Sequence, residues 1–345
     1  MATIRCLRNH LFNRNDLKKS PLISLISLRN LNYASKEYNE KDPSPLFFNK
    51  ETQSLLKTLT RINLDVVFRR RKMGQRLLSI PTQKFLTEDQ LQEAMRDAEN
   101  QVENIIQIPP VIKIRKPIDV IISCDPALKG LEESKMVFTD ITFGLNNSER
   151  LIVIREPCGT LRHADWDTRE RMNQIYFPLQ GKKYRIPQMF QDIYFEDLLK
   201  RKEYKFILDK TCVQFEPDSV EYQKFTSITY QYINDNHHFD CLRSTRHFGS
   251  MCFFLVWHKI IDNLLLELIQ TENVIEANVL LNLYCKIHNV RLDFKETDDL
   301  VSVEEYIAKY SEKKAPLELA VQAYKELLRE RIELEKGIKR AHGVV

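Results

Sequence analysis

Glycine is scarce in this chain, with eight residues in 345. Phosphate-cradling loops and tightly turned nucleotide folds need glycine where backbone approaches ligand. No such motif is present. Paired cysteines are missing too. The seven cysteines, at 6, 124, 158, 212, 241, 252 and 285, are odd in number, widely spread and free of any CxxC spacing. Neither a disulfide framework nor a zinc ribbon is indicated, and free thiols in a reducing compartment fit better. Long apolar runs are also lacking. The best internal candidate, 251–269, contains His258, Lys259, Asp262, Asn263 and Glu267. A bilayer needs roughly 20 mostly apolar residues, so this stretch reads as a buried helix pair in a soluble protein with no membrane span.

Charge is balanced overall but unevenly placed. The net charge is +4, and residues 1–33 hold six Lys/Arg against Asp16 alone. That leaves 34–345 near neutral, with 46 basic and 47 acidic residues. The body is not a uniform nucleic-acid coat, so RNA contact must come from local patches. The basic, nearly acid-free start, with Ile4, Leu7, Leu11 and Phe12 at helical spacing, reads as a mitochondrial presequence cleaved near 31–34. The expected location is the mitochondrial matrix.

Residues 34–45 are polar, with two prolines, and form a lead-in. A helix is predicted over 49–60 with Leu55, Leu56 and Leu59 on one face. Thr87-Glu88-Asp89-Gln90 has capping-box form and opens a helix to about Ile106, where Pro109-Pro110 stops it. The proline-rich stretch 107–133 reads as an extended arm rather than a packed element. Lys135 to Phe143 and Arg150 to Arg155 read as two strands joined by a turn at 144–148. Their alternation puts Val137, Thr139, Ile141 and Phe143 on one side, with Met136, Phe138 and Asp140 on the other.

Beyond 160 the pattern is helical. Helices are predicted from Asp165 or Asp167 to before Pro178, over 188–204, and from Pro217-Asp218-Ser219 to about 235. Further helices follow over 241–257, 259–287, 302–310 and 317–339, the last carrying Leu319, Ala323, Leu327 and Ile332 at helical spacing. The fold class is therefore α+β and predominantly α-helical: a helical C-terminal region, one small antiparallel β-hairpin and extended N-terminal arms. The expected divisions are a presequence 1–33, a helical and extended arm region 34–133, a hairpin plus helix 134–182, and a helical domain 183–345.

The densest cationic run is Arg69, Arg70, Arg71, Lys72 and Arg76 beside Phe68. Flexible cations can follow a phosphate backbone without reading sequence. Lys113, Arg115 and Lys116 form a second cluster, and Lys182, Lys183 and Arg185 a third. Lys200-Arg201-Lys202 and the tail Lys336, Lys339 and Arg340 are weaker candidates. The His237, His238, Asp240, Cys241, His247 and Cys252 group matches no zinc spacing. Cys158, with His163 five residues on, has the residue types of a nucleophile and base, but no orienting third group accompanies them.

Several blocks carry a family resemblance. They are Val137–Ile141, the run Arg155-Glu156-Pro157-Cys158-Gly159-Thr160-Leu161-Arg162, Trp166 through Arg171-Met172 to Tyr176-Phe177-Pro178, Gln214–Ser219, and Leu242–Arg246 followed by Phe248-Gly249. In this order, over about 46–330, they resemble the twenty-second small-subunit protein family of the animal mitochondrial ribosome. Cys158 stands where the family pattern carries serine, and 286–300 also departs from it. The resemblance implies a structural constituent that binds small-subunit rRNA and neighbouring mitochondrial small-subunit ribosomal proteins in the matrix. Such a protein supports mitochondrial translation and subunit assembly. It implies no reaction, catalytic residue, cofactor, metal or small-molecule substrate. The competing readings are a matrix adaptor of another assembly and an RNA-acting enzyme using Cys158 and His163.

Overall fold

Phe248 to Val256 has no polar side, so a helix there is stable only when enclosed all round. The computed structural model, which describes residue 38 and residues 41–68, 84–127, 134–292 and 300–342, builds its core on that segment. Helix α9 (Arg246–Trp257) is buried from His247 to Val256. It is flanked by α2 (Lys50–Thr60), α8 (Val220–Asp235) and α11 (Val274–His288). Within α2, Leu56 and Leu59 are fully buried and Leu55 is half-buried; Asn49 starts the helix by accepting from Glu51 N–H at 3.0 Å.

Helix α10 (Asp262–Gln270) completes the expected buried pair with α9. Among the described residues no helix is long and apolar enough to cross a membrane. Two helices follow, α12 (Val301–Lys309) and α13 (Lys314–Ala341). The first turns of α13 bury Leu317 and Val321, while Leu319, Leu327 and Ile332 of the anticipated stripe are exposed. The buried pair at i and i+4 lies on a neighbouring face, because α10 and α12 approach from that side.

The helix breaks were not legible, and glycine scarcity explains why. The run 188–204 proves to be a 3-10 turn Gln188–Phe190 followed by α6 (Asp192–Lys200), with an unforeseen α7 (Tyr204–Gln214) after it. The run 259–287 is interrupted at 271–273, between α10 and α11. Each break carries a left-handed residue, Lys202 (φ 61°) or Glu272 (φ 61°). In α10, Glu272 N–H returns to Ile269 O at 3.1 Å and Asn273 N–H to Leu268 O at 2.8 Å. That pair of bonds is the Schellman closure. The same pairing closes α6 at Lys202, α8 at His237 and α9 at Lys259, positions where glycine is the usual occupant.

The expected strands pair, as β2 (Met136–Thr139) and β3 (Ile152–Arg155). They belong to a four-stranded antiparallel sheet of order β1-β4-β3-β2, completed by β1 (Ile121–Cys124) and β4 (Thr160–His163). The tight hairpin is β3–β4, where Gly159 (φ 89°) closes the turn. Residues 140–151 form a longer loop instead of extending the strands. Asp140 accepts from Thr142 N–H at 2.9 Å and ends β2, and buried Arg150 gathers the loop carbonyls. Register sets Val137 opposite Ile154 and Thr139 opposite Ile152, on the face where Ile152, Ile154 and Ala164 pack against Met172 of α5 (Trp166–Tyr176). Met136 and Phe138 lie on the other, open face.

The 107–120 stretch is extended but packed, which differs from the arm expected. Helix α4 (Glu88–Ile105) opens with the foreseen capping box and ends before the prolines. Beyond it, Ile106 and Val111 are buried. Gln223 of α8 donates to Ile112 O at 2.7 Å, Arg115 N–H donates to Asp218 O at 3.0 Å, and Trp166 Nε1–H donates to Lys116 O at 2.7 Å. Proline-broken backbone has few partners of its own, so two side chains and one backbone carbonyl at the starts of α8 and α5 satisfy it.

Candidate nucleic-acid interface

Arg115 and Lys182 turn inward. Arg115 pairs with Glu170, lies 3.7 Å from Asp218, and stacks its guanidinium 4.5 Å from the Trp166 ring centroid. The Lys182 side chain is 8% exposed and sits 3.8 Å from Glu170 and 3.6 Å from Glu216. These groups line a cavity of about 450 Å³ between α5, the packed arm and the start of α8. Arg115 and Lys182 face the three carboxylates Glu170, Glu216 and Asp218 there, while the third cation of the lining, Arg169, donates to the carbonyls of Ser148 and Arg150. The cluster joins the arm to α5 and α8, with Arg115 and Lys182 engaged by these acids.

Lys113, Lys116, Lys183 and Arg185 behave differently, since all four are exposed. The clusters Lys113-Arg115-Lys116 and Lys182-Lys183-Arg185 each divide in the same way, with one member in the ionic cavity and the others in solvent. At the end of α6, Lys200 and Arg201 pair with Glu196 and Asp197 one turn back, which leaves a solvated helix face. Lys336, Lys339 and Arg340 lie exposed along the last turns of α13. Arg69, Arg70, Arg71, Lys72 and Arg76 lie outside the described residues.

The structure does not bring Cys158 and His163 together. Cys158 is exposed in the β3–β4 turn, and His163 ends β4. Three strand steps separate Thr160 from His163, about 10 Å at strand rise, which is beyond hydrogen-bond reach. The Cys158 thiol is held below its ordinary value by a hydrogen bond with Thr160 Oγ1, 3.2 Å away. Beside it, burial works to raise the Glu156 carboxyl, but hydrogen bonds from Arg162 and Lys135 outweigh that and keep it low.

The His and Cys group around 237–252 disperses. His238 Nδ1 meets Tyr204 Oη at 2.7 Å, and His247 Nε2 meets Asp209 Oδ1 at 2.8 Å. Cys252 is enclosed in α9, where burial pushes its thiol up to about 12. Among the described residues no three His, Cys, Asp or Glu side chains converge as metal ligands.

Sequence reasoning passed over Arg171 and Tyr184. They are 13 positions apart, yet the Arg171 guanidinium sits 5.7 Å from the Tyr184 ring centroid. The available signal was the acid-free run Lys182-Lys183-Tyr184-Arg185, an aromatic set among cations. Its pairing with α5 depends on the chain folding back after Pro178.

Comparison with known proteins places these features in context. The family described as Mitochondrial 28S ribosomal protein S22 matches residues 45–289. The chain is 37% identical over 291 residues to Small ribosomal subunit protein mS22 of Mus musculus, across 82% of this chain and 80% of that relative. It is 37% identical over 291 residues to Small ribosomal subunit protein mS22 of Bos taurus, across 83% and 80% of the two chains. Helices α12 and α13 lie beyond the residues matched by the family.

Proposed function

This chain belongs to the Mitochondrial 28S ribosomal protein S22 family, and we propose that it is a structural constituent of the mitochondrial small ribosomal subunit with no reaction of its own. The observation that carries this reading is the family match, which spans most of the folded chain. Residues 1–33 act as the import presequence, and the mature protein works in the matrix, bound to the ribosome. There it contacts small-subunit rRNA and neighbouring ribosomal proteins, and so supports mitochondrial translation and subunit assembly.

Within that role the cations divide by task. Lys113, Lys116, Lys183 and Arg185, exposed on backbone that neighbouring side chains hold, are suited to phosphate. Arg69, Arg70, Arg71, Lys72 and Arg76 supply a further phosphate-following run. Arg115 and Lys182 hold the arm against α5 and α8, and their part in RNA binding is indirect. A near-neutral body suits a protein that docks largely on other proteins and reaches RNA through local patches.

Sedimentation of a detergent lysate of mitochondria through sucrose, with and without EDTA, tests the assignment. EDTA separates the two ribosomal subunits. The chain is expected to stay with small-subunit rRNA in both gradients, and a free species at the top would overturn the reading. Alanine at Arg69, Arg70, Arg71 and Lys72 is expected to weaken incorporation without unfolding the chain. Unchanged incorporation would return that run to a solvated linker.

A further inference from the structure

The segment Gly181–Lys183, which leads directly into Tyr184, is fixed by α5 and α7. Gly181 has φ +90° and lies so close to α7 that a Cβ there would meet Val213 Cγ1 at 3.1 Å. Gln174 of α5 donates to Lys182 O at 3.1 Å and accepts from Leu179 N–H at 3.3 Å. Gln214, buried at the end of α7, accepts from Lys183 N–H at 3.0 Å and donates to Lys183 O at 2.8 Å. The backbone is thus held by side chains of two helices.

Charge on this surface is sorted. The nearby acids Glu170 and Glu216 are taken by Arg115 and Lys182. Arg171, Lys183 and Arg185 remain exposed, with no ion-pair partner among the described residues. Between them stands Tyr184, 59% exposed, with one flank against Arg171. Ile175 and Ile186 add exposed apolar surface beside it.

We propose that Arg171, Lys183, Tyr184 and Arg185 form a binding site for single-stranded RNA, with one unpaired base stacked on the Tyr184 ring and adjoining phosphates on the three cations. The proposal rests on the rRNA-binding reading above and specifies the form of RNA this face takes. A cationic patch alone would serve a duplex, because a duplex offers phosphate and no free base face. An exposed ring next to anchored backbone and among uncompensated cations matches what single strands require, a π surface beside a phosphate track. Holding the backbone in advance lowers the ordering cost on binding.

The test uses the full-length chain and two RNA probes, a single-stranded 12-mer carrying 5-iodouridine and a 12-base-pair duplex. Photocrosslinking of the 12-mer is expected to label Tyr184. Tyr184→Ala is expected to weaken the single strand about tenfold while leaving the duplex unchanged, and Tyr184→Phe to retain binding. Lys183→Ala with Arg185→Ala should reduce the salt slope for the single strand by about 1.4. If the charge variant weakens binding and Tyr184→Ala does not, the stacking site is overturned while the RNA reading stands. If neither variant matters and crosslinks map elsewhere, RNA does not use this face and the site is likewise overturned. A decaglutamate peptide that displaces the 12-mer from this face at lower concentration than unlabelled 12-mer would identify an acidic protein partner instead. Unfolding midpoints equal to wild type confirm that the variants are folded.

Discussion

The guanidinium of Arg150 lies 3.7 Å from the centroid of the Phe177 ring, stacked between the loop that follows β2 and the end of α5. Arg150 is 2% exposed and donates to the carbonyls of Asp140 at 2.8 Å, Thr142 at 2.9 Å and Leu145 at 3.1 Å. One fork thereby organises the 140–151 loop. Arg150→Met fills similar volume but leaves three carbonyls without their donor, and it should cost about 3 kcal/mol. Arg150→Lys keeps the charge without the planar fork and should recover less than half of that loss. Chemical-denaturation midpoints of the two variants decide the point.

Gly249 of α9 is where the packed arm approaches the core. A Cβ there would meet Ile108 Cδ1 at 2.7 Å, Cγ1 at 3.1 Å and Cγ2 at 3.3 Å. Alanine gains up to about 1 kcal/mol of helix propensity, and overpacking costs about 1–3 kcal/mol. The net expectation for Gly249→Ala is a loss of about 1 kcal/mol. Ile108→Val removes the closest methyl, so the double variant should be more stable than Gly249→Ala alone. Additive losses in that double-mutant cycle would show that the contact is not the cause.

Lys259 holds a left-handed conformation, φ 59°, at the end of α9 and is exposed. A side chain in this region costs about 1–2 kcal/mol relative to glycine, less the entropy glycine adds to the unfolded chain. Lys259→Gly should therefore stabilise by about 0.5 kcal/mol, whereas Lys259→Val should destabilise. Thermal unfolding of the pair gives opposite shifts if the backbone conformation governs.

Burial lowers the His247 imidazole, even though the hydrogen bond and charge of Asp209 oppose it; Arg246 and Lys205 also disfavour the proton. Burial likewise lowers His238 and His288. Below about pH 6.5 the unfolded chain gains protons that these folded sites refuse, so stability is lost as pH falls through that value. The Asp209 carboxyl, which burial raises but His247 and Arg246 hold low overall, acts only further down, in the carboxylate range. Melting at pH 7.5, 6.5 and 5.5 should show a fall for the natural chain. His247→Gln should be weaker at pH 7.5 but change less with pH, and parallel slopes would assign the effect to the other histidines.

Much of the element order was legible. The capping box at Thr87, the stops at Pro109-Pro110 and Pro178, and the β2–β3 pairing rest on local chemistry that composition displays. The missed features share one cause. Breaks at Lys202 and Glu272 use left-handed residues that carry no sequence signal, since glycine, which normally marks them, is nearly absent. Strands β1 and β4 are four residues each, too short for a periodic pattern; β4 forms because β3 is there to pair with it, and β1 because β4 is.

The sequence by itself determined the helical class, the family, and the candidate basic runs, because periodicity, motif order and charge are properties of the chain. Tertiary structure alone decided which cations remain available. Lys182 and Lys183 are neighbours of the same type, yet one lies between two glutamates and the other faces solvent. Proximity of Glu170 and Glu216 to Lys182, with Gln214 locking the next peptide, makes that difference. It arises from elements far apart in sequence, which is why no reading of the run itself could supply it.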